Sequence, residues 1–245
     1  MTFVFLHVDR TGGMAVRELL ARQFRTQDIR PVPHDSRASV RIDAYPIDRN
    51  SDLVAQNRSY VHQGHALVMG HWDWGVVERI PGPVKLLTIL RDPVERAVSL
   101  WRFVKQERGM YCRMSQRADE MGCIEWLAGH PDLWANVMTQ QLAGTRWSQK
   151  GRLNEADVEI AVDRLLRIEY VGVTEYLTGY MDVVCAAEGW HGRPRQINGT
   201  KRKATEPNEV WELVYEKSQK DVWLYNLARR RCARALQSGA LSRRL

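Results

Sequence analysis

Four short apolar runs separated by stretches of helical period constrain the architecture of this chain more than any other feature. They are residues 2–8, 66–69, 84–90 and 170–173, each of strand length and too short for a buried helix. The first hands over at Gly12 and Gly13 to a helical period beginning with Met14, Arg17, Glu18, Leu19 and Leu20. The third ends at Asp92 and Pro93, an N-capping residue followed by proline at the first helical position, which predicts a helix from Pro93 to the vicinity of Gly109. After the fourth, Thr174 is placed to cap a helix running through Glu188, and helical patterns fill 119–128, 133–143, 154–166 and 208–236. Strands alternating with helices imply a mostly parallel central sheet covered on both faces, because parallel strands need crossover connections. The expected fold is α/β, with one domain over residues 1–245. Segments 26–63 and 190–207, rich in Pro, Gly, Asn, Arg and Ser, read as long loops at the active face.

Charge and cysteine usage narrow the function classes. Thirty-six Lys+Arg against 29 Asp+Glu give a net charge of +7, which suits an anionic ligand, a nucleic acid or an acidic polymer, and is equally explained by solvated surface cations. The four cysteines, Cys112, Cys123, Cys185 and Cys232, form no CxxC pair and have no histidine at zinc-finger spacing. No structural metal site is therefore expected, and the thiols read as free, a Cys112–Cys123 disulfide being the alternative. The opening MTFVFLHV lacks the pattern of a signal peptide, and no apolar run reaches the roughly 18 residues of a membrane span. A cytoplasmic protein without a transmembrane segment is the expectation.

Two segments can carry anion chemistry. In FLHVDRTGG, residues 5–13, two glycines and a cation stand where a strand hands over to a helix. Backbone N–H groups converge on an anion at such a turn, the helix N-terminus adds positive potential, and missing Cβ atoms permit close approach. In TILRDPVERAVSL, residues 88–100, Arg91 closes a buried strand and Ser99 lies two turns into the next helix. An arginine fork and a hydroxyl can hold a phosphate dianion from two sides. Neither GxxxxGK[ST] nor GxGxxG occurs, so a standard ATP/GTP loop and a dinucleotide fingerprint are both unsupported.

Together these segments resemble the membrane-type carbohydrate sulfotransferase family and its bacterial relatives, related to heparan sulfate 2-O-sulfotransferase, whose motifs read FLHxPKTGGT and RDPxxRxxSxY. Further similar stretches follow in order: Gly70-His71-Trp72, residues 136–140 with 142–144, residues 170–172 with 174–175, residues 198–202 and residues 221–225. The resemblance implies a P-loop-like nucleotide-binding fold and a reaction that moves a sulfuryl group from 3′-phosphoadenosine 5′-phosphosulfate (PAPS) to an acceptor hydroxyl, the expected acceptor being a carbohydrate, with no metal required. It assigns Arg10, Thr11, Gly12, Gly13 and Met14 to the 5′-phosphosulfate, Arg91 and Ser99 to the 3′-phosphate, and Thr200, Lys201 and Arg202 to a basic segment closing over the nucleotide.

Three positions depart from the family pattern: Asp9 stands in place of Pro, Arg10 in place of Lys, and Met14 in place of Thr or Ser. Arg10 keeps a charge for the leaving oxygen but cannot donate a proton at its high pKa. Met14 leaves the backbone N–H groups to bind the 5′ end. The reaction also needs a base for the acceptor hydroxyl, and a histidine has the most suitable pKa. His71, in the Gly-His segment after the second strand, is the first choice, with His62, His65 and Asp73 as competitors. Trp72 and Trp74 could stack on a sugar or belong to the core. Arg229, Arg230, Arg231, Arg234, Arg243 and Arg244 form a basic stripe that could grip a polyanion or solvate a helix end. A nucleotide-dependent phosphotransferase and a non-enzymatic polyanion-binding module are the alternative functions.

Overall fold

The computed structural model describes residues 1–25, 28–30, 64–106, 118, 120–146, 153–194 and 207–239. Its strands are β1 (Thr2–Leu6), β2 (Ile29–Arg30), β3 (Leu67–Gly70), β4 (Val84–Leu90) and β5 (Tyr170–Val173). They form one parallel sheet in the order β2-β3-β1-β4-β5. Every residue of β1, β3 and β5 is buried, the physical reason these strands read as unbroken apolar runs instead of alternating ones. The two-residue β2 lies within the stretch expected to be loop, and it is too short to leave a period in the sequence.

Register brings the functional ends together. Leu6 lies opposite both Gly70 of β3 and Thr88 of β4, and Leu90 lies opposite Val173. The chain leaves β1 towards β2 on one side of the sheet and leaves β4 towards β5 on the other. Between the carboxyl ends of β1 and β4 this divergence makes a topological switch point, the place where open α/β sheets have their ligand crevice.

The helices are α1 (Gly13–Ala21), α2 (Trp74–Val77), α3 (Pro93–Gln106), α4 (Cys123–Gly129), α5 (Val137–Ala143), α6 (Glu155–Arg167), α7 (Leu177–Glu188), α8 (Asn208–Lys217) and α9 (Gln219–Ser238). Asp92 caps α3 as expected, its Oδ1 accepting from the N–H groups of Val94 at 2.9 Å and Glu95 at 3.2 Å. Asn154 and Asp157 form a reciprocal capping box on α6, at 2.8 and 2.9 Å. A main core packs β1, β3, β4 and β5 against the flanking helices. In a smaller one, Val94 and Val98 of α3 meet Trp126, Trp134, Val210 and Val214. This second cluster fixes the helix that carries Ser99.

Several expected elements are corrected. Thr174 opens a 3-10 turn, Thr174–Tyr176, ahead of α7 and makes no side-chain cap. The helix expected over 133–143 is a 3-10 turn, Pro131–Leu133, followed by α5, with Asn136 in the left-handed region at φ 53°. Asp221 holds that start: its carboxylate accepts from Met138 N at 3.2 Å, Thr139 N at 2.8 Å and Thr139 Oγ1 at 2.8 Å. The long C-terminal helix is two, broken at Ser218 without glycine or proline. Over 119–128, Glu120 is helical and, after a break at Met121 and Gly122, α4 follows from Cys123 to Gly129. Cys185 and Cys232 are free thiols in the core.

Candidate functional site

The loop after β1 owes its shape to two residues in the left-handed region, Arg10 at φ 64° and Gly12 at φ 77°. Thr11 steadies it by donating from Oγ1 to the Val8 carbonyl at 2.8 Å. The hydroxyl of Thr174 reaches in from the end of β5, 2.9 Å from the Thr11 carbonyl and 3.2 Å from that of Leu90. Its bond to the loop replaces the helix cap expected of it. Gly13 is set by sterics: a Cβ there would stand 1.9 Å from Nε2 of the buried His7. Gly12 caps α1 without a side-chain bond, and the first turn of the helix holds no acidic residue. The helix therefore presents its N-terminal N–H groups and positive dipole end beside Arg10, with Met14 half-buried in that turn.

The second segment meets the first directly. Arg91 donates from Nη1 to the Arg10 carbonyl at 3.1 Å and from Nη2 to Glu95 Oε2 at 2.8 Å. Arg10 in turn donates from Nε to Ser99 Oγ at 3.2 Å, and its guanidinium carbon lies 4.5 Å from the centroid of the Phe103 ring. Thus Arg10, Arg91 and Ser99, expected in one site, are brought together at the switch point. The Arg10 side chain lies along α3 at the end expected to hold the 3′-phosphate. Two of the five N–H groups of Arg91 are committed to these bonds, leaving donors for a ligand. Deeper in α3, Arg96 is fully buried and donates to the Trp134 carbonyl. Burial lowers its pKa to about 10, with Asp221 and Asp9 opposing.

His71 follows β3 on the opposite side of β1. Its Nδ1 lies 3.1 Å from the His7 carbonyl oxygen and 3.1 Å from Oδ1 of Asp9. The His7 and His71 rings pack with centroids 4.1 Å apart. Gln141 ties the two strand ends by donating from Nε2 to the carbonyls of His7 at 3.0 Å and Trp72 at 2.6 Å. Burial is the largest influence on His71 and holds it below the ordinary histidine value, against the pull of Asp9. Burial followed by the neighbouring His71, Arg17 and Arg10 depresses His7 much further. Burial pushes Asp9 up, but His71, Arg146, Arg96 and Arg10 outweigh it and leave the carboxyl below its usual value.

Two competitors of His71 have other positions. His65 precedes β3 at the amino end of the sheet, where its carbonyl accepts from Thr2 Oγ1 at 3.1 Å. The length of β3 separates it from the crevice. Asp73 caps the short α2, accepting from Gly75 N at 3.0 Å, and burial raises its pKa to about 6. His62, Thr200, Lys201 and Arg202 lie outside the described residues.

Trp72 and Trp74 are buried in the main core, and Arg164 lies over the Trp74 ring at 5.1 Å. Their position is that of scaffold, not of a sugar platform. The basic stripe divides in the same way: Arg229, Arg230 and Arg234 are exposed, but Arg231 is buried. Its guanidinium donates to the carbonyls of Leu165 at 2.8 Å, of Ile168, and of Glu169 at 3.1 Å, which closes the C-terminal end of α6. Arg243 and Arg244 lie outside the described residues. Among the described residues no group of three or more His, Cys, Asp or Glu is placed to hold a metal ion.

Sequence reasoning missed Gln141 as a member of this site, and it missed the contact of Asp9 with His71. Asp9 stood out only as a departure at a loop position. A signal was available, however: His7 and Asp9 are two residues apart at a strand exit, beside a second strand that ends in Gly-His. Gln141 left no signal, since its role depends on how α5 docks against two strand ends. No protein-family model matches the chain, and a search of curated proteins finds no match.

Proposed function

We propose that the chain is a sulfotransferase that moves a sulfuryl group from PAPS to an acceptor hydroxyl, with a carbohydrate as the acceptor class. The observation that carries this reading is the interlock of the two anion segments, in which Arg91 holds the Arg10 carbonyl and Arg10 holds Ser99. A donor with phosphate at both its 3′ and 5′ ends needs two cationic subsites a nucleoside apart. In this reading the N-terminus of α1 takes the 5′ end and the Arg91–Ser99 pair the 3′-phosphate. Thr200, Lys201 and Arg202 remain in the proposal as the basic segment over the nucleotide.

In the reaction, the acceptor O–H gives its proton to His71 while its oxygen bonds to sulfur. The bond from sulfur to the bridging oxygen breaks, and its electron pair stays on the 5′-phosphate of the departing adenosine 3′,5′-bisphosphate. The α1 N-terminus offsets the charge that builds there, and Arg10 joins it by turning its guanidinium from Ser99 to the leaving oxygen, a stabilisation of the kind aimed at the transition state. The sulfuryl group carries less charge than a phosphoryl group, so these fixed dipoles and one guanidinium are in proportion to the task.

Ligand-dependent melting tests the donor assignment. Adenosine 3′,5′-bisphosphate is expected to raise the melting temperature, and ATP with Mg²⁺ is not. The reverse pattern would favour a phosphotransferase.

A further inference from the structure

We propose that Asp9 is the positioning residue of His71, holding the imidazole with its proton on Nδ1 so that Nε2 is the basic nitrogen. The proposal rests on the reading of His71 as the base of the transfer reaction. Its geometric ground is that Nδ1 faces two oxygens at 3.1 Å, the His7 carbonyl and Asp9 Oδ1. A carbonyl oxygen and an ionised carboxylate can only accept, so Nδ1 must carry the hydrogen that both share. In the neutral ring the lone pair is then on Nε2.

The two acceptors contribute differently. The His7 carbonyl also accepts from Gln141 and is a fixed dipole in the framework. Asp9 supplies charge. When Nε2 takes the acceptor proton, the ring becomes an imidazolium, which Arg17 on α1 and Arg146 after α5, both cations, oppose. Asp9 is the opposite charge in contact with it, and Arg146, Arg96 and Arg10 keep that carboxyl ionised. The logic is that of a base oriented by a carboxylate on its other nitrogen. A residue that reads as a lapse in the loop pattern thereby acquires a function.

Imidazole ¹⁵N NMR of the 245-residue chain tests this without substrate. The neutral form of His71 is expected to show its proton on Nδ1, and Asp9→Asn is expected to lower the His71 pKa, because the carboxylate that raises it is gone. Turnover with PAPS should fall roughly 10- to 10⁴-fold in Asp9→Asn, the span between losing an outer partner of a metal-bound histidine and losing the aspartate that orients a histidine base. Affinity for adenosine 3′,5′-bisphosphate should hold, and the acid limb of the rate profile should move to lower pH. Asp9→Glu should recover part of the rate. A parent protein with the proton on Nε2 would overturn the proposal, as would an Asp9→Asn variant whose His71 pKa is unchanged or raised. Should Asp9→Asn fail to fold, the tautomer of the parent decides alone. Failure of the parent to bind adenosine 3′,5′-bisphosphate would count against the sulfotransferase reading and leave the tautomer result standing.

Discussion

Arg10 Nε and Ser99 Oγ, eighty-nine residues apart in sequence, are hydrogen-bonded at 3.2 Å across the crevice between the β1 loop and α3. Either residue alone fits a tight turn or a helix surface. Joined, and with Arg91 bonded to the Arg10 carbonyl, they hold segments 5–13 and 88–100 against each other.

Arg91→Ala is expected to weaken binding of adenosine 3′,5′-bisphosphate by about 1.5–3 kcal/mol, the range for a charged hydrogen-bonding partner. Ser99→Ala should cost less, since it removes a neutral hydroxyl. Calorimetric titration of both variants reads the difference, and an unchanged affinity in Arg91→Ala would remove Arg91 from the donor site.

Arg10→Ala is expected to reduce turnover more than donor affinity, because the leaving oxygen gains most of its charge in the transition state. Some affinity should also be lost, since the guanidinium touches Ser99. Arg10→Lys should keep activity. Comparing kcat with the dissociation constant of adenosine 3′,5′-bisphosphate separates the two effects, and equal loss in both would assign Arg10 to binding only.

Gly13→Ala should destabilise the protein by about 1–3 kcal/mol or more through overpacking, since the new Cβ would stand 1.9 Å from His7 Nε2. Combining it with His7→Ala should recover part of that loss, a coupling that denaturant unfolding of the two single variants and the double variant measures.

Much of this site was legible because it is local. β4 and β5 end where their apolar runs end, and the Asp92-Pro93 pair starts α3 through backbone chemistry that needs no distant partner. Arg10, Gly12, Gly13, Arg91 and Ser99 could be singled out for the same reason: a strand exit and a helix start are written in consecutive residues. What escaped depends on contacts distant in sequence. Thr174 has the signature of a cap, but the Thr11 carbonyl draws its hydroxyl away. Arg231 belongs to a basic run, yet three carbonyls at the end of α6 bury it. The division of α8 from α9 at Ser218 carries no glycine or proline to announce it.

Asp73→Asn should alter the pH dependence of stability. The carboxyl has a folded pKa of about 6 against the usual 3.8, so the folded chain binds the proton more tightly than the unfolded one. Its contribution to stability is therefore greatest below about pH 4 and is lost as the pH rises towards 6. Asparagine retains the cap on α2 without the charge. The difference between parent and Asp73→Asn unfolding profiles should grow in favour of the variant across that window and level off above it, whereas parallel profiles would contradict the assignment.

The most direct measurement of the central claim is transfer of ³⁵S from labelled PAPS to a panel of hydroxyl-bearing acceptors, carbohydrates first, with adenosine 3′,5′-bisphosphate quantified alongside. Labelled acceptor and adenosine 3′,5′-bisphosphate are expected in equal amounts. A His71→Ala protein should still bind the bisphosphate but lose roughly 10²- to 10⁴-fold in rate, the contribution of a general base, along with the acid limb through the depressed His71 pKa. A parent protein that transfers no label to any acceptor, or a His71→Ala variant that transfers at the parent rate, would contradict that claim.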